Sequence, residues 1–194
     1  HEKYLEIYKS IQTFDKDIQN EVSLLDPLTK LYNRTYLNRY LNSTMQRSGM
    51  ERKTAGIMLD INSFKEINDT YGHSEGDTAL QLVGKCLMDT VSGTNVAVRY
   101  GGDEFIIIIH IRDEWEMEEM LERIRLRMAQ ISGESGRPYT ITLSMGAALY
   151  DPAMDNLDRF LGRMDQRMYE AKRSYYSGSK NRRRRGEYRE ESAT

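Results

Sequence analysis

Asp60 and Asp103 are the residues best placed to do chemistry. Asp60 lies at the end of the apolar run "TAGIMLDI" (54–61), and Asp103 sits in "RYGGDEFIIII" (99–109), between two glycines and five apolar residues, with Glu104 beside it. A carboxylate abutting a buried strand is costly unless a cation or hydrogen bonds offset it. Neighbouring strands would bring Asp60 and Asp103 within a few ångströms of each other. Two carboxylates and a main-chain carbonyl then form a hard oxygen site, suited to Mg²⁺ or Mn²⁺ with nucleotide phosphates as the other ligands. Gly101-Gly102 is expected to take positive φ in the turn and to leave room for a bulky ligand. The same stretch also reads as a plain hairpin turn with solvated acids.

Four further side chains extend the first reading. Lys65 stands five residues beyond Asp60, in the following loop, where an ammonium can meet phosphate. Asn68 and Asp77 flank "DTYGHSEG". An amide and a carboxylate together can read a guanine edge, although Asp77 alone also reads as a helix N-cap. Lys172, in the last helical segment, is a second cation for phosphate, or a solvated lysine.

The periodicity supplies the elements that must hold these residues. Helices are predicted over 33–45, 75–91, 114–131 and 155–174, strands over 54–61, "NVAVRY", "EFIIIIH" and "YTITLSMGAALY", and a hairpin around Gly101-Gly102. "NSFKEINDTYGHSEGD" reads as loop and short helix. Met117, Met120, Leu121, Ile124, Met128 and Ile131 recur at helical spacing and read as core, as does the lone Cys86. This order argues for a single α/β sandwich, with helices packed over a mixed sheet. Residues 1–25 carry apolar positions at Tyr4, Ile7, Ile11, Phe14, Ile18 and Leu25, the spacing of a heptad seam. They are expected to form a helical stalk joining two copies, against the alternative of a helix lying on its own domain. Asp26-Pro27 ends that helix.

Composition narrows the class. The chain has 194 residues, 39% hydrophobic and 30% charged, with a formal net charge of −2, as expected for one soluble domain without a polyanionic partner. One cysteine leaves no disulfide within the chain and fits a reducing, cytoplasmic setting. No apolar run approaches the ~18 residues of a membrane span. His1 suggests a piece of a longer parent, for which membrane anchoring stays open. The tail 177–194 holds five cations in the six residues 180–185, diluted by Glu187, Glu190 and Glu191. It reads as basic and flexible, with a grip on phosphate, nucleic acid or membrane as the alternative.

"DPLTKLYNR", "DINSFKEINDTYGHSEGD", "RYGGDEF" and "MDQRMYEAK" follow the order and spacing of the GGDEF domain, and the chain resembles the diguanylate cyclase family over about residues 26–173. The resemblance implies an α/β (α+β) nucleotidyl-cyclase fold related to polymerase palms, spanning 26–176. It implies condensation of two GTP into cyclic di-GMP with release of two pyrophosphates, at a site formed between two protomers. It makes Asp60, Asp103 and the carbonyl of Ile61 metal ligands, with Glu104 as a further metal or proton-transfer group. Lys65 and Lys172 become phosphate lysines. Asn62, Ser63, Phe64 and Gly102 belong to the GTP-binding surface, the main chain around Ser63 and Phe64 cradling the β and γ phosphates. Asn68 and Asp77 become the guanine readers. Implied partners are GTP, cyclic di-GMP, a second copy through the N-terminal helix and an upstream sensor domain, with no nucleic acid.

Three departures from the family's pattern stand out. Asn62 replaces the second acid of the usual Asp-x-Asp pair. Ser92 and Asn95 stand where many members carry an Arg-x-x-Asp product site, so no product inhibition is expected there. Tyr175 and Tyr176 stand where a Gly-Arg pair is frequent, which removes a phosphate contact unless Lys180 or Arg182 substitutes. An inactive domain that binds GTP or cyclic di-GMP and regulates a partner is the alternative to an active cyclase.

Overall fold

The computed structural model describes residues 24–45 and 53–191, with side chains described through residue 43 in the first stretch and residue 178 in the second. The stalk seam up to Ile18, and the side chains of Lys180 and Arg182, lie outside the described residues. Five strands form one mixed sheet. They are β1 (Tyr32–Asn33), β2 (Lys53–Ile61), β3 (Val96–Arg99), β4 (Glu104–Ile111) and β5 (Leu143–Leu149). Their spatial order is β1-β3-β4-β2-β5. Only the β1–β3 pair is parallel; β2 pairs antiparallel with both β4 and β5, and β3 with β4.

Five helices cover the two faces: α1 (Arg34–Met45), α2 (Phe64–Tyr71), α3 (His73–Thr90), α4 (Glu114–Glu134) and α5 (Leu157–Glu191). The central strands β2 and β4 are apolar along most of their length because both faces are packed. Ala55, Ile57, Leu59 and Ile61 of β2 join Phe105, Ile107 and Ile109 of β4 under α3 and α4. The alternate residues Met58, Ile106 and Ile108 join Leu37 and Leu41 of α1 and Phe160, Met164 and Met168 of α5. Alternation of side chains along a strand therefore decides where the acids point. Asp60 has the parity of Met58, and Glu104 that of Ile106, so both fall on the face that α5 covers.

Glycines permit that cover. A Cβ at Gly146 of β5 would lie 2.1 Å from the Met168 nitrogen and 2.4 Å from the Met164 carbonyl oxygen. One at Gly56 of β2 would meet the Met164 sulfur at 2.3 Å. The bare backbone lets α5 lie flush on β2 and β5. The methionines of α4 and Cys86 are buried, as their spacing predicts.

Three expectations change. The last strand begins only at Leu143, since 139–142 leave the ladder to reach Asn62 and Ser132. The last helix does not stop near 174 but runs to Glu191. Gly101 and Gly102 do not take positive φ; among described residues the glycines that do are Gly72, Gly93 and Gly136. Among the described residues no helix is long and apolar enough to cross a membrane.

Candidate active site

The sheet registry assembles the acids. Asp60 is directly opposite Glu104 across the β2–β4 ladder. One step on, the Ile61 N–H donates to the Asp103 carbonyl at 3.3 Å, so residues 60, 61, 103 and 104 form one patch at the end of the sheet. Like charges directly opposite in a sheet are destabilising. The chain answers with one ammonium from the overlying helix: Lys172 donates to both oxygens of Asp60, at 2.7 and 2.8 Å. The Asp60 side chain is only 7% exposed.

One cation among three acids leaves the patch electron-rich, and the protonation equilibria reflect this. Burial pushes the Asp60 carboxyl above the usual carboxylate range; the Lys172 hydrogen bond opposes that and the Asp103 charge adds to it. Burial, then the charges of Asp60 and Asp103, push Glu104 up as well. Burial alone would lower the Lys172 ammonium, but its hydrogen bond to Asp60 and the surrounding negative charge raise it.

This donor chemistry fits a divalent cation. Among the described residues no three His, Cys, Asp or Glu side chains form a ready cage. Mg²⁺ does not need one, since it is usually held by one or two carboxylates plus substrate phosphates and water. Lys172, chelated by Asp60, already demonstrates the pull of the patch on a cation.

Gly101 has a different use from the one its type suggests. A Cβ there would lie 2.8 Å from a Glu104 carboxylate oxygen, so the missing side chain makes room for that acid. The turn itself is held from outside. Arg99 donates to the Gly102 carbonyl through Nε (3.2 Å) and a terminal nitrogen (2.8 Å), while its other terminal nitrogen reaches Asp26 at 3.2 and 3.3 Å. Asp26 also accepts from the backbone and hydroxyl of Thr29, each at 2.7 Å. The segment just before β1 is thus bonded to the acid-bearing turn, a role that sequence spacing did not reveal.

The loop between β2 and α2 is tied at every residue. Asn62 is buried and turned inward, donating to the Thr142 hydroxyl at 3.1 Å and accepting from the Ser144 hydroxyl at 2.6 Å. Its amide is committed to the β5 side and shapes the loop. Ser63 adopts left-handed backbone (φ 56°, ψ 27°), and its N–H donates to the Tyr176 hydroxyl at 3.1 Å. Phe64 is partly buried against the core, and Lys65 is exposed in the first turn of α2.

Asn68 lies against the first turn of α3. Its Oδ1 would be 2.1 Å from a Cβ at Gly76, and it bonds His73 Nδ1 at 3.3 Å, a partner that the sequence reading missed. Asp77, the next residue after Gly76, is exposed. The structure therefore brings Asn68 beside the turn that carries Asp77, on α2's side away from Ile67 and Thr70. Those two residues instead line a cleft of about 500 Å³ that also takes in Asn62 and Ser63 and is walled by Tyr139, Tyr175 and Tyr176.

At the two positions that depart from the expected Arg-x-x-Asp pair, Ser92 is exposed, and the Asn95 side-chain oxygen accepts from the His110 N–H at 3.0 Å.

Comparison with known proteins identifies the family. The family model described as "Diguanylate cyclase, GGDEF domain" matches residues 23–177. Diguanylate cyclase DosC of Escherichia coli is 34% identical over 165 residues, 84% of this chain and 35% of the relative. Response regulator PleD of Caulobacter vibrioides is 32% identical over 164 residues, 79% of this chain and 35% of the relative. The chain thus spans about a third of the length of these curated relatives. Among solved structures, diguanylate cyclase SiaD of Pseudomonas aeruginosa, in complex with its activator SiaC, superposes with a TM-score of 0.73 at 27% identity, covering 89% of this chain and 68% of that one. The coiled coil and GGDEF domain of DgcB from Caulobacter crescentus, in complex with c-di-GMP, gives 0.76 at 24% identity over 89% and 93%, a likeness of fold.

Proposed function

The chain belongs to the GGDEF family of diguanylate cyclases, and from that premise we propose that it condenses two GTP molecules into cyclic di-GMP, with two pyrophosphates released. The observation that carries this reading is the convergence of Asp60, Asp103 and Glu104 at one end of the β2–β4 ladder, beneath Lys172 and beside the loop at 62–64.

Asp60, Asp103 and the Ile61 carbonyl would hold Mg²⁺ or Mn²⁺, with Glu104 at the edge of the same site. When bound, such a cation would supply charge neutralisation for the triphosphate and polarisation of the α-phosphorus. The chain's own residues do the rest. Asn68 and Asp77 select guanine: a carboxylate accepts from the ring N–H and exocyclic amine, whereas adenine offers an acceptor at that ring position. The main chain that opens α2 at Phe64, set in place by Ser63, cradles the outer phosphates together with Lys65. Lys172, bonded to Asp60 in the ligand-free chain, would serve as the ammonium for a phosphate oxygen. The absent side chain at Gly102 leaves space over the turn. The 3′-hydroxyl of one GTP attacks the α-phosphorus of the other; that P–O bond forms as the bond to pyrophosphate breaks, and Glu104 is placed to take the hydroxyl proton. Catalysis is then mainly positioning and charge stabilisation.

Each chain supplies one such half-site, so two copies must face one another. The 1–25 segment is the element assigned to that pairing, under the control of a sensor domain in the parent protein.

The test is incubation with GTP and Mg²⁺ or Mn²⁺ across protein concentrations, with cyclic di-GMP and pyrophosphate measured by chromatography. Turnover that rises more steeply than protein concentration is expected. A dimeric sample that binds GTP and makes no cyclic dinucleotide would replace this reading with a binding-only regulator.

A further inference from the structure

The segment from Asp60 to Ser63 is fixed residue by residue to four different places. Asp60 is held by Lys172 of α5, and Ile61 by the Asp103 carbonyl. Asn62 is held by Thr142 and Ser144, at and just before the start of β5. Ser63 is held by the Tyr176 hydroxyl, 113 positions away in the chain. The last contact has no counterpart in the proposed chemistry, and it falls on the residue whose backbone most needs support.

Ser63 is one of two non-glycine residues with positive φ among the described ones, the other being Lys30. Such backbone persists only where the surroundings impose it. Ser63 is also the N-cap of α2, and its side chain makes no capping hydrogen bond. The Ser63 carbonyl starts the helix by accepting from the Ile67 N–H at 3.1 Å. The N–H groups that open α2 have no partners within the helix. Where those groups point depends on the dihedral angles of Ser63, and Tyr176 holds the one N–H that reports them. Lys172 and Tyr176 are one turn apart on α5, hence on one face of it. That face reaches down at both ends of the same four-residue segment.

We infer that Tyr176 is a positioning residue for the phosphate loop. Its hydroxyl acts as a tertiary cap that keeps Ser63 left-handed and so aims the first N–H groups of α2 toward the Asp60 patch. The phenol does this without adding charge, and it need not touch the nucleotide. This deepens the proposed function and rests on the reading of 62–64 as the cradle for phosphates.

The role predicts a coupling that a direct phosphate contact would not show. Glycine adopts left-handed backbone without strain, so Ser63→Gly makes the cap dispensable. Affinity for a non-hydrolysable GTP analogue with Mg²⁺ is measured calorimetrically on the full chain, Tyr176→Phe, Ser63→Gly and the double variant. Tyr176→Phe keeps the ring, and the site is at the surface, so folding is not at stake. It is expected to weaken binding about three- to tenfold, the scale of one lost hydrogen bond. In the Ser63→Gly background the same change is expected to cost less than about twofold. An equal loss in both backgrounds means that the hydroxyl meets the nucleotide itself, and no loss in either means that the cap is idle; each overturns the inference. A ligand-free measurement separates this from the function proposed above. Tyr176→Phe should shift the Ser63 amide resonance and speed its hydrogen exchange. An unmoved Ser63 amide overturns the inference whether or not GTP binds.

Discussion

Asp60 and Glu104 are directly opposite one another across the β2–β4 ladder, both on the face covered by α5, with Lys172 bonded to Asp60 alone. Opposed acids on a covered face weaken a fold. Glu104→Gln removes one charge and keeps the shape, so it is expected to raise the thermal midpoint in EDTA at pH 7. Burial and the neighbouring acids raise the Glu104 pKa, which fixes the sign of the pH effect. Relative to the unfolded chain, the folded state favours the protonated acid, so the wild type loses stability as pH rises past about 4.3, the ordinary glutamate value, and through the raised folded value. The advantage of Glu104→Gln should therefore be largest near neutrality and fade toward pH 4. The same substitution should reduce cyclic di-GMP formation and the stabilisation that Mg²⁺ with GTP analogue gives the wild type. A variant with full activity would remove Glu104 from the site.

The position of Lys172 depends on how closely α5 lies on the sheet. Gly146→Ala would place a methyl carbon against the Met168 nitrogen and Met164 carbonyl, backbone atoms that cannot turn aside. Overpacking of this kind costs about 1–3 kcal/mol, and lifting α5 would also draw Lys172 from Asp60. Gly162, within α5 itself, has nothing within 4 Å of a built Cβ. Gly162→Ala should stabilise by about 0.5–1 kcal/mol through helix propensity. Denaturant midpoints for the two variants should move in opposite directions.

Much of this was readable in the sequence because it is local. Five apolar residues after Glu104 demanded a buried strand, and an acid closing the apolar run of β2 had to face something polar. The helical spacing of Met117, Met120, Ile124 and Met128 placed them in the core for the same reason. What escaped depends on contacts between distant residues. Nothing near Gly101 in the chain says that its missing Cβ accommodates Glu104 rather than a positive φ. The partners of Asn62 could not be read locally either, because Thr142 and Ser144 are 80 and 82 positions away. The Tyr175-Tyr176 pair registered only as a lost basic residue, since the bond to Ser63 spans 113 positions.

Arg99 links the beginning of the domain to the acid-bearing turn through Asp26 on one side and the Gly102 carbonyl on the other. Arg99→Ala should free that turn and lower turnover several-fold more than it weakens binding of a GTP analogue, because Asp103 loses its fixed place while Asn68 and Asp77, proposed to read guanine, keep theirs. Burial would raise the Asp26 carboxyl, but hydrogen bonds from Thr29 and the charge of Arg99 outweigh it, and the net shift is downward. With a depressed folded value, the contribution of Asp26 is complete above the ordinary aspartate value of about 3.9 and is lost as pH falls below it through the folded value. Asp26→Asn should therefore flatten the acid limb of the stability profile below about pH 4 and leave its slope near neutrality unchanged.

Feedback through a separate product site should be absent. Recognition of cyclic di-GMP outside an active site calls for a cation to pair with its phosphates and an acceptor for its guanines. Here the exposed Ser92 offers no charge, and the Asn95 side-chain oxygen already accepts from the His110 N–H. Asp103→Asn weakens the cation site and so leaves any second binding mode visible by itself. Titrated with cyclic di-GMP, that variant should give no calorimetric signal at micromolar concentration. The wild type should show only competitive inhibition, relieved by raising GTP. Micromolar binding to Asp103→Asn that is lost on Asn95→Ala would establish a product site at this position after all, and non-competitive inhibition would place one elsewhere on the domain.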